Sequence, residues 1–217
     1  MLFLIKPSPE ITIKSRVVRR RFTRQLRKNL HRVLIELDDQ IQMHRQWDVI
    51  EVEREGSGGT KLVKIEERLR NIPGVAQINY VEKYPLPSMG EMLALAKAVY
   101  CEVLKGKTFA VRCKRSGDHS FSSVDIERFV GAGLNEKCST GGVKLKHPEV
   151  TVNLEIRGEF FSIVKTKIQG LGGLPLGCQD SVLSLISGGF DSSVSSYLCI
   201  KRGLQTCLLY TSDAADE

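Results

Sequence analysis

No stretch of this chain reaches the roughly 18 consecutive apolar residues of a membrane-spanning helix. The apolar opening Met1-Leu-Phe-Leu-Ile5 is too short for a signal peptide. The chain therefore reads as soluble and cytosolic, with no membrane partner. Its six cysteines (Cys101, Cys113, Cys138, Cys178, Cys199, Cys207) contain no CxxC pair, and its four histidines are scattered. Neither a zinc site nor a disulfide framework is indicated, and the cysteines read as ordinary reduced thiols. No lysine lies between Lys167 and Lys201, which excludes the lysine-bearing GxxxxGK[ST] nucleotide loop there. No aspartate or glutamate lies between Lys14 and Arg32, a span that holds nine lysines and arginines. A solvated helix face normally mixes charge signs to gain i,i+4 pairs, so single-sign density implies an anion that comes to meet it.

What the chain does have is globular material: 217 residues, 41% of them hydrophobic, enough for one large or two small domains. A net charge of +7 favours a polyanionic partner. The organising stretch is Val182-Leu-Ser-Leu-Ile-Ser-Gly-Gly-Phe-Asp-Ser192. Val182 to Ile186 reads as a strand buried on both faces. After it, Val194, Tyr197, Leu198 and Ile200 recur as the apolar stripe of a helix over 193–202. Between them, Gly188 and Gly189 allow a tight turn whose N–H groups can converge on one anion at the positive end of the helix dipole. Ser187 and Ser192 add hydroxyl donors, and Asp191 adds a carboxylate able to hold Mg²⁺ beside phosphates. The loop is built for phosphate.

Taken in order, Leu2 to Lys6 reads as a strand closed by Pro7 and Pro9. Val18, Phe22, Leu26, Leu30, Val33 or Leu34, and Leu37 follow at helical spacing, with Arg20, Arg24, Arg27, Lys28, His31 and Arg32 on the other side. Segments 41–47 and 49–53 read as a hairpin, 55–60 as a loop, 62–69 as a second helix and 75–81 as a strand. That order is the ferredoxin-like one. Tyr84-Pro-Leu-Pro-Ser88 reads as a linker, and Ser88 with Glu91 as a capping box for a helix buried through Met92, Leu95, Ala96, Val99 and Val103. A strand over 107–114 puts Arg112 and Lys114 on one face, because the strand period is two. A helix over 124–137 carries Gly131 and Gly133, whose cost in a helix implies a close approach by a neighbour. Two further strands, 150–156 and 160–168, lead through Leu171 to Gly177 into the phosphate loop.

The six residues Ser187 to Ser192 resemble the signature of the PP-loop ATP pyrophosphatases. More of the chain carries a closer likeness: Glu10-Ile-Thr-Ile-Lys-Ser15, Trp47-Asp-Val-Ile-Glu-Val52, Ile72-Pro-Gly74, Val111 to Arg128, Gly172-Gly-Leu-Pro-Leu-Gly177 and Val182 to Ser192. On these the chain resembles the family of tRNA 4-thiouridine synthetases, also called thiamine-biosynthesis sulfurtransferases, over 1 to about 206. Cys178 departs from the family's usual Thr or Ser. The resemblance implies a mixed α+β and α/β chain: a ferredoxin-like domain (1–82), a THUMP RNA-binding domain (83–170) and the first strand, loop and helix of a Rossmann-like PP-loop domain (171–206). The last residues, 207–217, resemble adapter read-through and are set aside as a foreign tail, so that the natural protein would continue into the rest of its catalytic domain. A segment after Leu174 without its neighbours is expected to be thinly supported.

The implied activity is ATP-dependent adenylation of uridine 8 in tRNA, followed by displacement of AMP by persulfide sulfur from a cysteine desulfurase. Its implied cofactors are ATP and Mg²⁺. The implied nucleotide-binding residues are Leu185, Ile186, Ser187, Gly188, Gly189, Phe190, Asp191 and Ser192, with Asp191 also catalytic and no protein-held metal cluster. Arg112, Lys114 and Arg115 are the candidate tRNA contacts in the THUMP domain, and Arg20, Arg24 and Lys28 form a second patch. The family also implies a homodimer and a link to thiamine synthesis. Two alternatives stay open: a THUMP module that only binds tRNA, and a different PP-loop enzyme acting on tRNA.

Overall fold

The computed structural model describes residues 2–46, 49–54 and 59–210. The chain folds as two units, Met1–Asn79 with Lys167–Glu217, and Tyr80–Thr166.

The first unit opens on β1 (Leu2–Pro7), a short turn of helix α1 (Pro9–Thr12) and the long α2 (Arg16–Ile35). α2 buries Phe22, Leu26, Leu30 and Leu34, one residue every four, which is the stripe its spacing dictates. β2 (Ile41–Gln46), β3 (Val49–Arg54), α3 (Gly59–Arg70) and β4 (Val75–Pro85) complete the set. Strand order β2-β3-β1-β4, with β3 antiparallel to both β1 and β2, is the ferredoxin-like arrangement. The expected hairpin tip at Trp47 and Asp48 and loop residues 55–58 lie outside the described residues, and Gly59 and Thr60 already belong to α3. β4 runs on to Pro85, so Tyr84 and Pro85 are strand rather than linker.

Residues 170–178 are bound into this unit by backbone hydrogen bonds. Gly170 N–H donates to Ala76 O (2.9 Å), Gly172 N–H to Val75 O (2.7 Å), and Gly74 N–H to Gly172 O (2.8 Å). From α2, the Asn29 amide donates to Leu176 O at 2.9 Å. Leu174 is buried. Beyond it come β8 (Ser181–Ile186), α6 (Phe190–Lys201) and β9 (Gln205–Tyr210), with β8 and β9 parallel in register Ser181↔Gln205 to Ile186↔Tyr210. Residues 207–210 are thus strand, while 211–217 lie outside the described residues.

Two expectations about this segment are corrected. β8 is not buried on both faces: Leu183 and Leu185 are 62% and 66% exposed, and only the alternate residues Val182, Ser184 and Ile186 turn inward. The stripe of α6 also differs, since Val194, Tyr197 and Leu198 are exposed while Ser196 is buried, its hydroxyl 2.7 Å from that of Ser184. Buried status on two faces needs covering layers on both. Among the described residues α6 covers one side of this two-stranded sheet.

The second unit holds α4 (Met89–Leu104), β5 (Phe109–Ser116), α5 (Ser123–Lys137), β6 (Val150–Arg157) and β7 (Phe160–Gln169). β5 pairs with β6 in parallel and β6 with β7 antiparallel, so β5 ends the order β7-β6-β5. Both helices start in capping boxes, Ser88 with Glu91 and Ser122 with Asp125. Their buried residues, among them Met92, Ala96, Tyr100, Ile126, Val130 and Leu134, pack on Val111, Val152, Leu154, Ile156, Phe161 and Ile163. The buried stripe of α4 runs through Leu93, Tyr100 and Leu104; Val103, expected inside, is exposed. The close neighbour implied at Gly133 is Leu93, whose Cδ2 would lie 2.3 Å from a Cβ at that position. The cysteines need one correction: Cys101 on α4 and Cys138 at the end of α5 form a disulfide, Cα atoms 5.4 Å apart. Their separation of 37 residues hides that adjacent helices bring them together. Cys113, Cys178, Cys199 and Cys207 are free.

Candidate nucleotide and RNA sites

The glycine turn between β8 and α6 forms where the sequence places it. Gly188 takes φ +78, a conformation side chains rarely adopt, and a Cβ there would meet nothing within 4 Å. That leaves an open cradle at the start of α6. Gly189 caps the helix, and among the described residues no side chain caps the first N–H groups of α6, the groups a helix start leaves without intrahelical partners. Ser187 N–H and the Ser192 hydroxyl lie 3.4 Å apart, and that hydroxyl donates to Gly189 O at 2.8 Å, closing the turn. Asp191 is exposed in the first helical turn, and Phe190 is 93% exposed. Twelve residues of helix, the N–H groups at its start, two hydroxyls and a glycine hollow fit a polyphosphate. Leu185 and Ile186 end β8 at the mouth of this loop, Leu185 outward and Ile186 half-buried. Cys178 stands apart from the cradle: its N–H donates to Pro175 O at 3.1 Å, and burial pushes its thiol up, with Arg21 opposing.

The basic candidates fall on separate surfaces. On α2, Arg20, Arg24 and Lys28 line one side together with Arg27, His31 and Arg32. One groove of about 390 Å³ lies among Arg20, Thr23, Arg24 and Arg27, and a second of about 480 Å³ runs from Arg24 past His31 to Met43. Among the described residues no carboxylate pairs with Arg20, Arg24, Arg27 or Lys28. Arg27, left out of the sequence-based set, borders both grooves, and its Nε is buried without a hydrogen-bond partner.

In the second unit Arg112 and Lys114 share the exposed face of β5, as the period of two requires, and Arg115 lies on the other face at the strand's end. Arg112 is largely spoken for. Its Nη2 donates to Leu145 O at 2.8 Å, and its Nη1 stands 3.9 Å from the Glu127 carboxylate. Glu127 also accepts from Cys113 N–H at 2.8 Å, which satisfies a donor on the outermost strand. Lys114 and Arg115 have no carboxylate partner among the described residues. Arg115 instead donates through Nη1 to Gly117 O (3.0 Å) and to His119 Nδ1 (3.1 Å). Nearby, Lys83 lies 4.4 Å from the centre of the Phe160 ring, and Lys165 pairs with Glu82. Nothing in the spacing of the basic residues marks His119 as the neighbour of Arg115; Gly117, at φ +113, which lets the chain fold back from Arg115 to His119, is the available signal.

Among the described residues no cluster of three or more His, Cys, Asp or Glu could hold a metal, and no helix is long and apolar enough to cross a membrane.

Three family models match in succession: the ThiI ferredoxin-like domain over 2–79, the THUMP domain over 87–164, and the thiamine biosynthesis protein (ThiI) over 177–216. A tRNA sulfurtransferase of Shewanella sp. (strain MR-7) is 47% identical over 206 residues, 95% of this chain and 43% of the relative. The chain therefore spans less than half the length of the curated relatives it matches. Among solved structures, PH1313 from Pyrococcus horikoshii OT3 matches with a TM-score of 0.82 at 21% identity, over 98% of this chain and 69% of that one. A 4-thiouridine synthetase in complex with RNA and bound ATP matches at 0.77 and 22%, over 99% and 53%. Ferredoxin-like fold, THUMP segment, glycine cradle and near-half identity converge, and the chain belongs to the ThiI family.

Proposed function

We propose that this chain is part of a tRNA sulfurtransferase that makes 4-thiouridine at tRNA position 8. The observation that carries the reading is the open glycine cradle at the uncapped start of α6, in a chain 47% identical to a tRNA sulfurtransferase. ATP would lay its phosphates in that cradle, on the N–H groups of 188–192 and the hydroxyls of Ser187 and Ser192, with Leu185 and Ile186 beside the base. Asp191 is the carboxylate that Mg²⁺ bridging those phosphates would meet, and in this sense it is catalytic. Adenylation of O4 turns a poor leaving group into a good one. The terminal sulfur of a persulfide loaded by a cysteine desulfurase would then attack C4 and displace AMP, and a second thiol would break the S–S bond, leaving 4-thiouridine and a disulfide.

Arg20, Arg24 and Lys28, and in the second unit Lys114 and Arg115, would meet tRNA phosphates; Arg112, tied to Leu145 O, would contribute mainly charge. Such contacts hold the RNA without reading its bases. The proposed domains are 1–82 ferredoxin-like, 83–170 THUMP and 171–206 the start of the PP-loop domain. A cytoplasmic location, a homodimer and service to thiamine synthesis belong to the same proposal.

The full-length protein, incubated with tRNA transcript, Mg-ATP, a cysteine desulfurase and cysteine, should yield 4-thiouridine detectable by mass spectrometry of digested tRNA. Asp191→Ala should lower the yield at least about 100-fold, as loss of one transition-state electrostatic partner does. Full yield without ATP, or from Asp191→Ala, would overturn the reading.

A further inference from the structure

We infer that His119 is a positioning residue, held as the neutral Nε2–H tautomer, that fixes Arg115 for a single RNA phosphate. The inference rests on reading Arg115 as a phosphate contact.

The hydrogen-bond partners leave one tautomer. Arg115 Nη1 can only donate, so Nδ1 of His119, 3.1 Å away, accepts. Gly158 O can only accept, so Nε2, 2.9 Å away, donates. The imidazole thus bridges the end of β5 to the β6–β7 turn. Phe121 stacks on it, ring centres 5.3 Å apart and planes within 22°. Gly117 makes room: at φ +113, any Cβ would stand 3.0 Å from His119 Cε1 and 3.3 Å from Gly158. One nitrogen of the guanidinium is therefore spent on Gly117 O and His119, while Nη2 and Nε, with no hydrogen-bond partner among the described residues, form an edge of fixed direction. A guanidinium edge is the shape that meets two oxygens of a phosphate. Holding it before the ligand arrives removes rotamer entropy that binding would otherwise cost.

The two nitrogens of His119 can be tested separately, because asparagine can place an acceptor near Nδ1 and glutamine a donor near Nε2. Binding of an unmodified tRNA transcript to the full chain is measured by anisotropy across a salt series, with thermal unfolding of each variant as control. Arg115→Ala should weaken binding about 3- to 10-fold and reduce the salt slope by about one. His119→Ala should weaken binding at least about threefold while removing no permanent charge, and the double variant should be no weaker than Arg115→Ala. His119→Asn should restore most of the loss and His119→Gln little. Rescue by Gln rather than Asn would make His119 a structural tether to Gly158 and overturn the inference, as would effects that multiply in the double variant. Arg115→Ala binding like the parent chain would remove the phosphate reading beneath it. Imidazole ¹⁵N shifts give a readout without RNA: the Nε2–H pattern supports the assignment, and the Nδ1–H pattern refutes it.

Discussion

Gly173 sits at φ +73 with Lys201 O only 2.1 Å from where a Cβ would stand, so this residue admits α6 against the segment that leads to it. Gly173→Ala strains the backbone and pushes on a carbonyl that cannot yield alone. A loss of about 1–3 kcal/mol is expected, read as faster hydrogen exchange in α6. Cys113 makes a second residue-scale case. Burial, then the Glu127 carboxylate, push its thiol from 9.0 up to about 12. The unfolded chain gives up this proton first, so the contribution of Cys113 to stability is present below pH 9 and is lost as pH rises toward 12. At pH 8 a maleimide should label exposed Cys207 readily and Cys113 only after denaturant is added. Position in sequence could not rank these thiols, because reactivity follows burial and neighbouring charge.

At the scale of elements, the two capping boxes are the local features most plainly written in the sequence. Ser122 accepts from Asp125 N–H at 3.2 Å and donates to its carboxylate at 2.7 Å; Ser88 and Glu91 repeat the pattern. Ser122→Ala should cost about 1 kcal/mol in urea unfolding. Hydrogen bonds from the serines hold both carboxyls below their usual 3.8 and 4.5. Folded values below unfolded ones mean that this stabilisation is present at neutral pH and disappears as pH falls through the carboxylate range. The acid limb of the stability curve should therefore flatten in a Ser88→Ala, Ser122→Ala variant. Helix α2 was equally legible, since Phe22 to Leu34 recur every four residues. α4 was only half so, because its apolar residues surround much of the helix and periodicity cannot choose among Leu93, Leu95, Val99 and Val103. β8 was misread for a related reason: an apolar run shows what could be buried, not what layer arrives to bury it.

For the whole molecule, the legible part of the site is the part that depends on consecutive residues. The cradle from Ser187 to Ser192 follows from its own letters, as does the one-sided charge of α2. Grouping across the chain was not legible: that Arg112 bonds Leu145 O, that His119 reaches Gly158, and that Cys101 meets Cys138 all depend on tertiary neighbours. Replacing Arg20, Arg24 and Lys28 together by alanine should weaken tRNA binding at low salt and reduce the salt slope by about 2 to 3. Unchanged binding would remove α2 from the RNA surface.

The two-stranded sheet β8–β9 has a colloidal consequence. Among the described residues each strand has one paired edge, and the outward side chains include Leu183, Leu185, Leu208, Leu209 and Tyr210. Open backbone edges beside exposed apolar side chains are templates for strand addition from another molecule. Concentrated solutions of this chain should scatter light increasingly with time, despite their net charge of +7. Leu185→Lys should slow that growth, and adding salt should speed it by screening the repulsion that otherwise keeps the chains apart.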